Sequence, residues 1–274
     1  LLVLSKDGGS EYQIQPAMIT AGTGFGKTEA FIFPILFYSL LNLLRGPVRQ
    51  NPPVDAILLY PRIDLCNDQL ERCVWYTFCL RQAVDEKSER PSALETINEN
   101  PFRITIAHSG VRRYEGENAS NPFSIACPIC KFEQVDSPGK IISIKDGYKT
   151  KFECKEHPEE HGIDSYITAF LEKSTKPFSI AITTVDTMHR RLMDVKGAES
   201  IWKNKEIRPR FFIFDEIHVY DGQVGAHVAN LCRRLRQYLK YLPGDDRRPN
   251  LLPPFFIGVS ATIGNPSKVC SEIF

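Results

Sequence analysis

No apolar run in this chain is long enough to cross a bilayer. The longest, Phe31 to Leu44, is broken by Pro34, Ser39 and Asn42 and falls short of the roughly 20 residues a span needs, so it reads as a buried helix. Net charge is almost absent as well: 34 Lys and Arg against 33 Asp and Glu leave +1. A near-neutral chain has no global field with which to gather a polyanion, so a partner of that kind has to be held by a local stripe of donors. The chain opens on Leu1 and has no basic leader with a cleavage site, as expected of a piece of a longer chain. Five of the eight cysteines (66, 73, 79, 232 and 270) lie in apolar or helical surroundings, which points to reduced core thiols and a cytoplasmic setting. Hydrophobic residues make up 42% of 274, enough to build one large or two small cores.

What is present begins with Ala21-Gly-Thr-Gly-Phe-Gly-Lys-Thr28, placed after the apolar run Ala17-Met18-Ile19-Thr20. This reads as a phosphate-binding loop leaving a strand and entering a helix. Gly22, Thr23, Gly24 and Gly26 let backbone amides curl around phosphate oxygens, and the helix starting near Lys27 adds its positive end. Lys27 would reach the β/γ-phosphates of a nucleoside triphosphate, and Thr28 would offer its hydroxyl to Mg²⁺. Ala21 stands where the general pattern has a first glycine. Far downstream, Arg210-Phe-Phe-Ile-Phe214 has the continuous apolarity of a strand buried on both faces and ends in Asp215-Glu216-Ile217-His218. Adjacent carboxylates at a buried strand end are costly unless something positive meets them. In that reading Asp215 holds the metal, Glu216 orients and deprotonates the attacking water, and His218 bonds a neighbouring element. A third buried run, Phe255 to Val259, ends in Ser260-Ala261-Thr262, whose hydroxyls at Ser260 and Thr262 are placed to relay the state of the acidic box. The chain offers no Asn-Lys-x-Asp guanine-reading motif, and Asn204-Lys205-Glu206-Ile207 is not one, which disfavours a GTPase.

Between these motifs, buried strands alternate with helical segments, the signature of an α/β parallel sheet with helices on both faces. Strands are expected at 17–20, 55–60, 103–107, 179–183, 211–214 and 255–259, and helices from Lys27, Asp64, Asp186 and Gly222. Residues 83–101 are charged and poorly periodic and read as an exposed connection. Ligands of such sheets gather at the carboxyl ends of the strands, where all three motifs fall.

The motif order, with Asp215 to Gly222, Gly225 to Leu231, Arg233-Arg234-Leu235-Arg236 and Ser260 to Pro266, resembles the first RecA-like, P-loop motor domain of a superfamily-two helicase of the DEAD/DEAH-box kind. It is similar to the mitomycin-repair-factor type of DNA helicase. The resemblance implies ATP and Mg²⁺ as ligands, single-stranded DNA as the polymer, and a second RecA-like domain, absent from this chain, that completes the nucleotide site. It implies work in repair or anti-phage defence. Tyr60-Pro61-Arg62 with Leu65 and Gln69, His108-Ser109-Gly110 and Thr183-Thr184-Val185-Asp186 resemble the family's polymer-binding motifs, which singles out Arg62, Ser109, Thr184 and His189. Such groups grip phosphates without reading bases, as a motor on any sequence requires. Thr184 and Asp186 have a plainer alternative as helix caps. Arg112, Arg113, Arg190 and Arg191 could extend a basic track.

Cys127-Pro-Ile-Cys130 and Cys154-Lys-Glu-His157 form two ligand hooks separated by 23 residues. That is the layout of a zinc ribbon, in which each hook turns two ligands toward one tetrahedral Zn²⁺. His161 is the alternative fourth ligand. Ile141 to Ile144 and Tyr148 to Phe152, around Asp146-Gly147, are expected to make a hairpin within it. The domain reading is therefore residues 1–110 and 176–274 as the RecA-like domain, with 111–175 as an inserted zinc-binding subdomain that is structural or docks protein partners. The competing functional reading is a non-motor DNA- or protein-docking platform on the same fold.

Overall fold

The computed structural model describes residues 4–5, 13–14, 16–22, 24, 26–45, 54–87, 103–108, 125–146, 149–158, 163, 166–169, 179–193, 209–240, 254–261 and 263–274. In chain order the described elements are β1 (Leu4–Ser5), β2 (Gln13–Ile14), β3 (Ala17–Thr20), α1 (Lys27–Arg45), β4 (Ala56–Tyr60), α2 (Ile63–Lys87), β5 (Ile104–Ala107) and α3 (Pro128–Phe132). There follow β6 (Ile141–Asp146), β7 (Lys149–Cys154), β8 (Ile167–Ala169), β9 (Ile180–Thr184), α4 (Val185–Met193), β10 (Phe211–Phe214), a 3-10 turn (Ile217–Val219), α5 (Gly222–Lys240), β11 (Phe255–Ser260) and α6 (Pro266–Ile273). The chain divides into two compact units: Leu1–Ile35 with Pro53–Pro61 and Val185–Phe274, and Leu36–Pro52 with Arg62–Thr184.

The first unit is built on parallel strands in the order β3, β11, β10, β4. Thr20 lies opposite Ser260, and Phe211 lies between Phe255 and Ala56. Every residue of β4 and β11 is buried, which explains why these strands read as unbroken apolar runs. Phenylalanines fill one layer: Phe212 stacks on Phe256 at 5.4 Å between centroids, and Phe274 closes on Phe214 at 5.4 Å. Gly258, in the middle of β11, leaves room for Met18, Ile217 and Phe274 to meet over it. α5 buries Val228, Leu231, Cys232, Leu235 and Leu239, an i, i+3, i+4 stripe, while Arg233, Arg234 and Arg236 face solvent.

The second unit carries the parallel strands β9, β5 and β8, with Ile104 between Ile180 and Ile167. α2 packs on β5 and β9 through Cys66, Leu70, Cys73, Val74 and Phe78. Thr77, buried in the same helix, donates its hydroxyl to the Cys73 carbonyl at 2.7 Å and so keeps no unmet polar atom. β6 and β7 form an antiparallel hairpin from Ile141 opposite Cys154 to Asp146 opposite Lys149.

The α/β parallel class and all six expected strands are present, each end within about one residue. Four differences have physical causes. α1 is not buried all round: Phe33 and Phe37 are 50% and 58% exposed, whereas Phe31, Ile32, Ile35, Leu36 and Leu40 face inward. Residues 83–87, expected in an exposed connection, are the last turn of α2, where continuation of a long helix outweighs weak periodicity; 88–101 lie outside the described residues. β8 falls within the stretch 111–175 and pairs with β5. A further helix, α6, follows β11 outside the expected set: Asn265 caps it, its side-chain oxygen accepting the Lys268 N–H at 3.0 Å, with proline in the first turn. Among the described residues no helix is long and apolar enough to cross a membrane.

Because a Cβ on Gly258 would collide with Met18 Sδ, Ile217 Cδ1 and the Phe274 ring, Gly258→Ala is expected to cost about 1–3 kcal/mol by overpacking. Denaturant melts would register it as a lower midpoint with an unchanged slope.

Candidate active site

The loop after β3 turns through two left-handed glycines, Gly24 at φ 84° and Gly26 at φ 69°. A Cβ at Gly24 would meet nothing within 4 Å. Glycine is therefore required by the sign of the dihedral and not by crowding within the protein. Helix α1 starts at once, with the Ala30 N–H on the Gly26 carbonyl at 3.0 Å. The Ala21 N–H donates to the Ser260 carbonyl at 3.3 Å, which fastens the base of the loop to the end of β11. A cleft of about 550 Å³ lies here, lined by Thr20, Ala21, Ala261, Ile263 and Gly264. Gly22, Lys27 and Thr28 are half-buried. Thr23 and Thr262 lie outside the described residues.

Two strands away, the Asp215 N–H is held by the Leu59 carbonyl of β4 at 3.0 Å. Its Oδ1 accepts the Glu216 N–H at 2.8 Å. Burial pushes the Asp215 carboxyl up to about 6, the neighbouring Glu216 adds to the rise, and the Glu216 amide, Lys27 and His218 oppose it. Lys27 and Asp215, nearly two hundred positions apart in sequence, thus act on one another electrostatically. Glu216 adopts a left-handed backbone, φ 51° and ψ 43°, which costs a non-glycine residue roughly 1–2 kcal/mol and is of the kind found where function demands it. The turn brings His218 back: its Nδ1 is 3.2 Å from Glu216 Oε2 and 3.1 Å from Ser260 Oγ. Glu216 Oε2 is buried yet lacks a partner in hydrogen-bonding geometry. The expected bond from His218 to a neighbouring element is therefore made, and it runs to β11.

The second unit gathers the zinc candidates. The sulfurs of Cys127, Cys130 and Cys154 are buried and lie within 4.8 Å of one another. Cys130 Sγ is 3.6 Å from Cys154 Sγ, and His157 Nδ1 lies 3.5 Å from Cys130 Sγ and 3.9 Å from Cys154 Sγ. A tetrahedral zinc with bonds of about 2.3 Å has ligand–ligand edges of about 3.8 Å, so the three sulfurs are grouped as for one ion, with His157 Nδ1 beside two of them, whereas a disulfide needs about 2.05 Å. Burial pushes the Cys127 thiol up to about 12, opposed by the N–H groups of Cys130 and Ile129 and reinforced by the other two thiols. Burial raises the Cys154 thiol too, opposed by the amides of His157 and Glu156. Each hook therefore aims amides at its own sulfur, a preparation for thiolate. Gly139 makes the close approach possible, since a Cβ there would strike Cys154 Sγ and the Glu156 carboxylate. His161 lies outside the described residues.

The residues singled out for polymer contact are dispersed along both units. Arg62 is exposed just ahead of α2, and Thr184 is buried at the end of β9. Ser109 lies outside the described residues. Beside it, His108 Nε2 is 3.2 Å from Asn67 Oδ1, and burial lowers the His108 pKa. The Thr183 hydroxyl donates to the Ala107 carbonyl at 2.5 Å. His189 on α4 has two neighbours from α5: Arg234 Nη1 at 3.4 Å from its Nε2, and the His227 ring at 5.9 Å. His227 and Arg234 were not visible in sequence as partners of His189; their seven-residue spacing on one helix face was the available signal.

A phosphate loop, a carboxylate pair and a Ser-Ala turn at the carboxyl ends of three neighbouring parallel strands define a P-loop domain of the RecA-like class. Residues 11–113 match the DEAD/DEAH box helicase family, and the chain is similar to the first RecA-like domain of a superfamily-two helicase of that kind. Over 131 residues it is 30% identical to the uncharacterized ATP-dependent helicase YprA of Bacillus subtilis, covering 45% of this chain and 16% of YprA. Over 104 residues it is 30% identical to the ATP-dependent helicase hrq1 of Schizosaccharomyces pombe, covering 38% of this chain and 9% of hrq1. A 259-residue match at 25% identity to the Druantia protein DruE of Escherichia coli covers 80% of this chain and 14% of DruE. The crystal structure of the DUF1998 helicase MrfA aligns with 94% of this chain and 26% of that one, at 20% identity and a TM-score of 0.45. The chain thus spans less than a fifth of the length of each of these three curated relatives.

The raised Asp215 pKa fixes a pH dependence. A carboxyl that titrates near 6 in the fold and 3.8 in the unfolded chain favours the fold while protonated, and that contribution is lost as pH rises from about 4 through 6. Asp215→Asn, which removes the buried charge, is expected to be more stable than the wild type at pH 8 by on the order of 1–3 kcal/mol. The difference should shrink toward pH 4. Chemical melts of both proteins across that range check it.

Proposed function

We propose that this chain is the ATP-binding half of an ATP-dependent helicase or translocase that moves on nucleic acid, specifically single-stranded DNA, in repair or anti-phage defence in the cytoplasm. The observation that carries the reading is the placement of the phosphate loop and the buried Asp215 at the carboxyl ends of β3 and β10, with β11 and Ser260 between them and Lys27 acting electrostatically on Asp215. Support for the polymer and pathway comes from the resemblance to the mitomycin-repair-factor type of DNA helicase. In this reading the amides of Gly22 to Gly26 cradle the triphosphate and Lys27 neutralises its β/γ end. Thr28 and Asp215 are the ligands for Mg²⁺, and a buried carboxylate driven toward protonation fits a cation. When bound, that ion would screen the phosphate charge.

Glu216 takes the proton of the attacking water as its general base. His218 shares its Nδ1 between Glu216 and Ser260, so a change in charge at Glu216 is felt on β11, with Thr262 following Ser260. Arg62, Ser109, Thr184 and His189 grip the backbone of the polymer. A second RecA-like domain supplies the arginine finger, a contribution of roughly 10³–10⁵ in rate. The 274 residues alone are therefore expected to hydrolyse ATP poorly. The domain assignment is 1–110 with 176–274 for the motor and 111–175 for the insertion, whose structural Zn²⁺ is held by Cys127, Cys130, Cys154 and His157.

Lys27→Ala and Glu216→Gln in the full-length protein are expected to lower ATP turnover stimulated by single-stranded DNA, the latter by roughly 10²–10⁴-fold as befits loss of a general base. Duplex DNA and RNA are the comparison substrates. If neither substitution affects biological activity, the docking-platform reading replaces the motor. Metal analysis should find one zinc per chain, reduced by Cys130→Ser or His157→Ala. Cobalt substitution should give the visible spectrum of a tetrahedral thiolate site.

A further inference from the structure

His189, His227 and Arg234 lie outside the nucleotide site, and of the three the family resemblance gives a polymer contact to His189 alone. They stand on two packed helices of the first unit, α4 and α5. The His189 and His227 rings meet edge to face at 5.9 Å, with planes 87° apart. Arg234 donates through Nη1 to His189 Nε2 at 3.4 Å, at an exposed position. That contact makes Nε2 the acceptor and puts the ring proton on Nδ1, which is buried and without a hydrogen-bond partner. The arrangement is thus poorly satisfied as it stands: a guanidinium spends one donor on a neutral imidazole, and the imidazole's own donor is unmet.

Charge tells the same story. The groups acting on His189 are Arg234 and His227 from α5 and Asp186 from its own helix. Two of these three oppose a proton on His189, and burial opposes it as well. A cluster of donors with one exposed carboxylate as counter-charge attracts an anion, and a phosphodiester matches the guanidinium fork with two oxygens.

We propose that His189, His227 and Arg234 form a seat for one backbone phosphate of the bound nucleic acid, α5 thereby joining α4 in holding the polymer. This rests on the reading that the chain grips a nucleic acid, and it adds a contact from the helix that follows the acidic box. On binding, the Arg234 fork turns from Nε2 to the phosphate, and His189 takes a proton from solvent at Nε2 and donates it to the same oxygens. Binding therefore takes up a proton, and affinity rises as pH falls. Because α5 begins at Gly222, four residues after His218, the seat also gives the acidic box a short covalent route to the polymer.

The test is the affinity of the full-length protein for a fluorescent single-stranded DNA oligonucleotide, measured against salt and between pH 6 and 8. Arg234→Gln and His227→Ala should each weaken binding several-fold and lower the slope of log K against log salt, by about one for the arginine. Arg234→Lys should keep the slope, and His189→Asn should flatten the pH dependence. Gln237→Ala, exposed on the same helix, should change none of these. Unchanged affinity and slope in both Arg234→Gln and His227→Ala, with a wild type that binds, would overturn the seat and leave the motor reading standing. A wild type that binds no nucleic acid at all would overturn both.

Discussion

A carboxylate taken out of water at the end of a strand has to be answered by positive charge or by a proton, and the site of the first unit is organised around that demand at Asp215. The carboxylate is there because β10 is buried on both faces and stops with it: the Asp215 N–H is still tied to Leu59 of β4, so the residue cannot swing outward to solvent. The backbone then turns through the left-handed Glu216, the Glu216 amide answers one oxygen, and Lys27 and His218 supply partial compensation. These still leave the carboxyl near 6. The protein by itself therefore under-neutralises the position, a condition that a bound cation relieves and that sequence selection for stability alone would remove.

The strand ends of the first unit carry strain of their own. Glu216 holds an unfavourable dihedral, its Oε2 lies buried beside His218, and that imidazole nitrogen is placed between it and Ser260. The interior of the same unit is filled by phenylalanine layers. Strain at the end of a well-packed strand is what a functional site on a rigid scaffold looks like. Almost no net charge is spent on this chain as a whole, yet α5 confines its apolar side chains to one face and three arginines to the other. Local potential near such a face, within a Debye length of about 8 Å, does not depend on the global balance.

Legibility in the sequence followed how much each feature depends on neighbours in sequence. Strands buried on both faces announce themselves, as Ala56 to Tyr60 and Phe255 to Ser260 did, because every residue is apolar or small. The phosphate loop and acidic box were legible because their chemistry demands particular residues at fixed spacing. The two Cys hooks were legible for the same reason: their three sulfurs gather in the structure, and His157 Nδ1 lies beside Cys130 and Cys154, while His161 lies outside the described residues. β8 was missed because three residues are too few to carry a period. α6 was missed although Asn265 and Pro266 are a sound start signal, since the same pair serves equally as a turn. The exposed side of α1 was misread because Phe33 and Phe37 are as apolar as their buried neighbours. The pairing of His189 with Arg234 depends on how α4 and α5 face each other, which no local pattern encodes.

The knuckle illustrates how a segment with little core acquires a single structure. Around the hairpin β6–β7 the described residues bury Ile125, Ile141, Phe152 and Ile163. A small body of that kind rarely folds on hydrophobic burial alone and needs a staple. Three thiols crowded within 4.8 Å do not supply one as neutral groups, because sulfur is a weak hydrogen-bond partner and burial favours the neutral form at Cys127 and Cys154. As thiolates around a dication they do, and the four amides aimed at Cys127 and Cys154 are oriented for that charged state. The result is anchored on α2, where Lys131 lies over the Trp75 ring at 4.6 Å and Phe132 meets Phe78 at 5.5 Å. Since α2 starts at Ile63, directly after Arg62, these packed aromatic side chains tie the knuckle to the helix that follows a polymer-contact candidate.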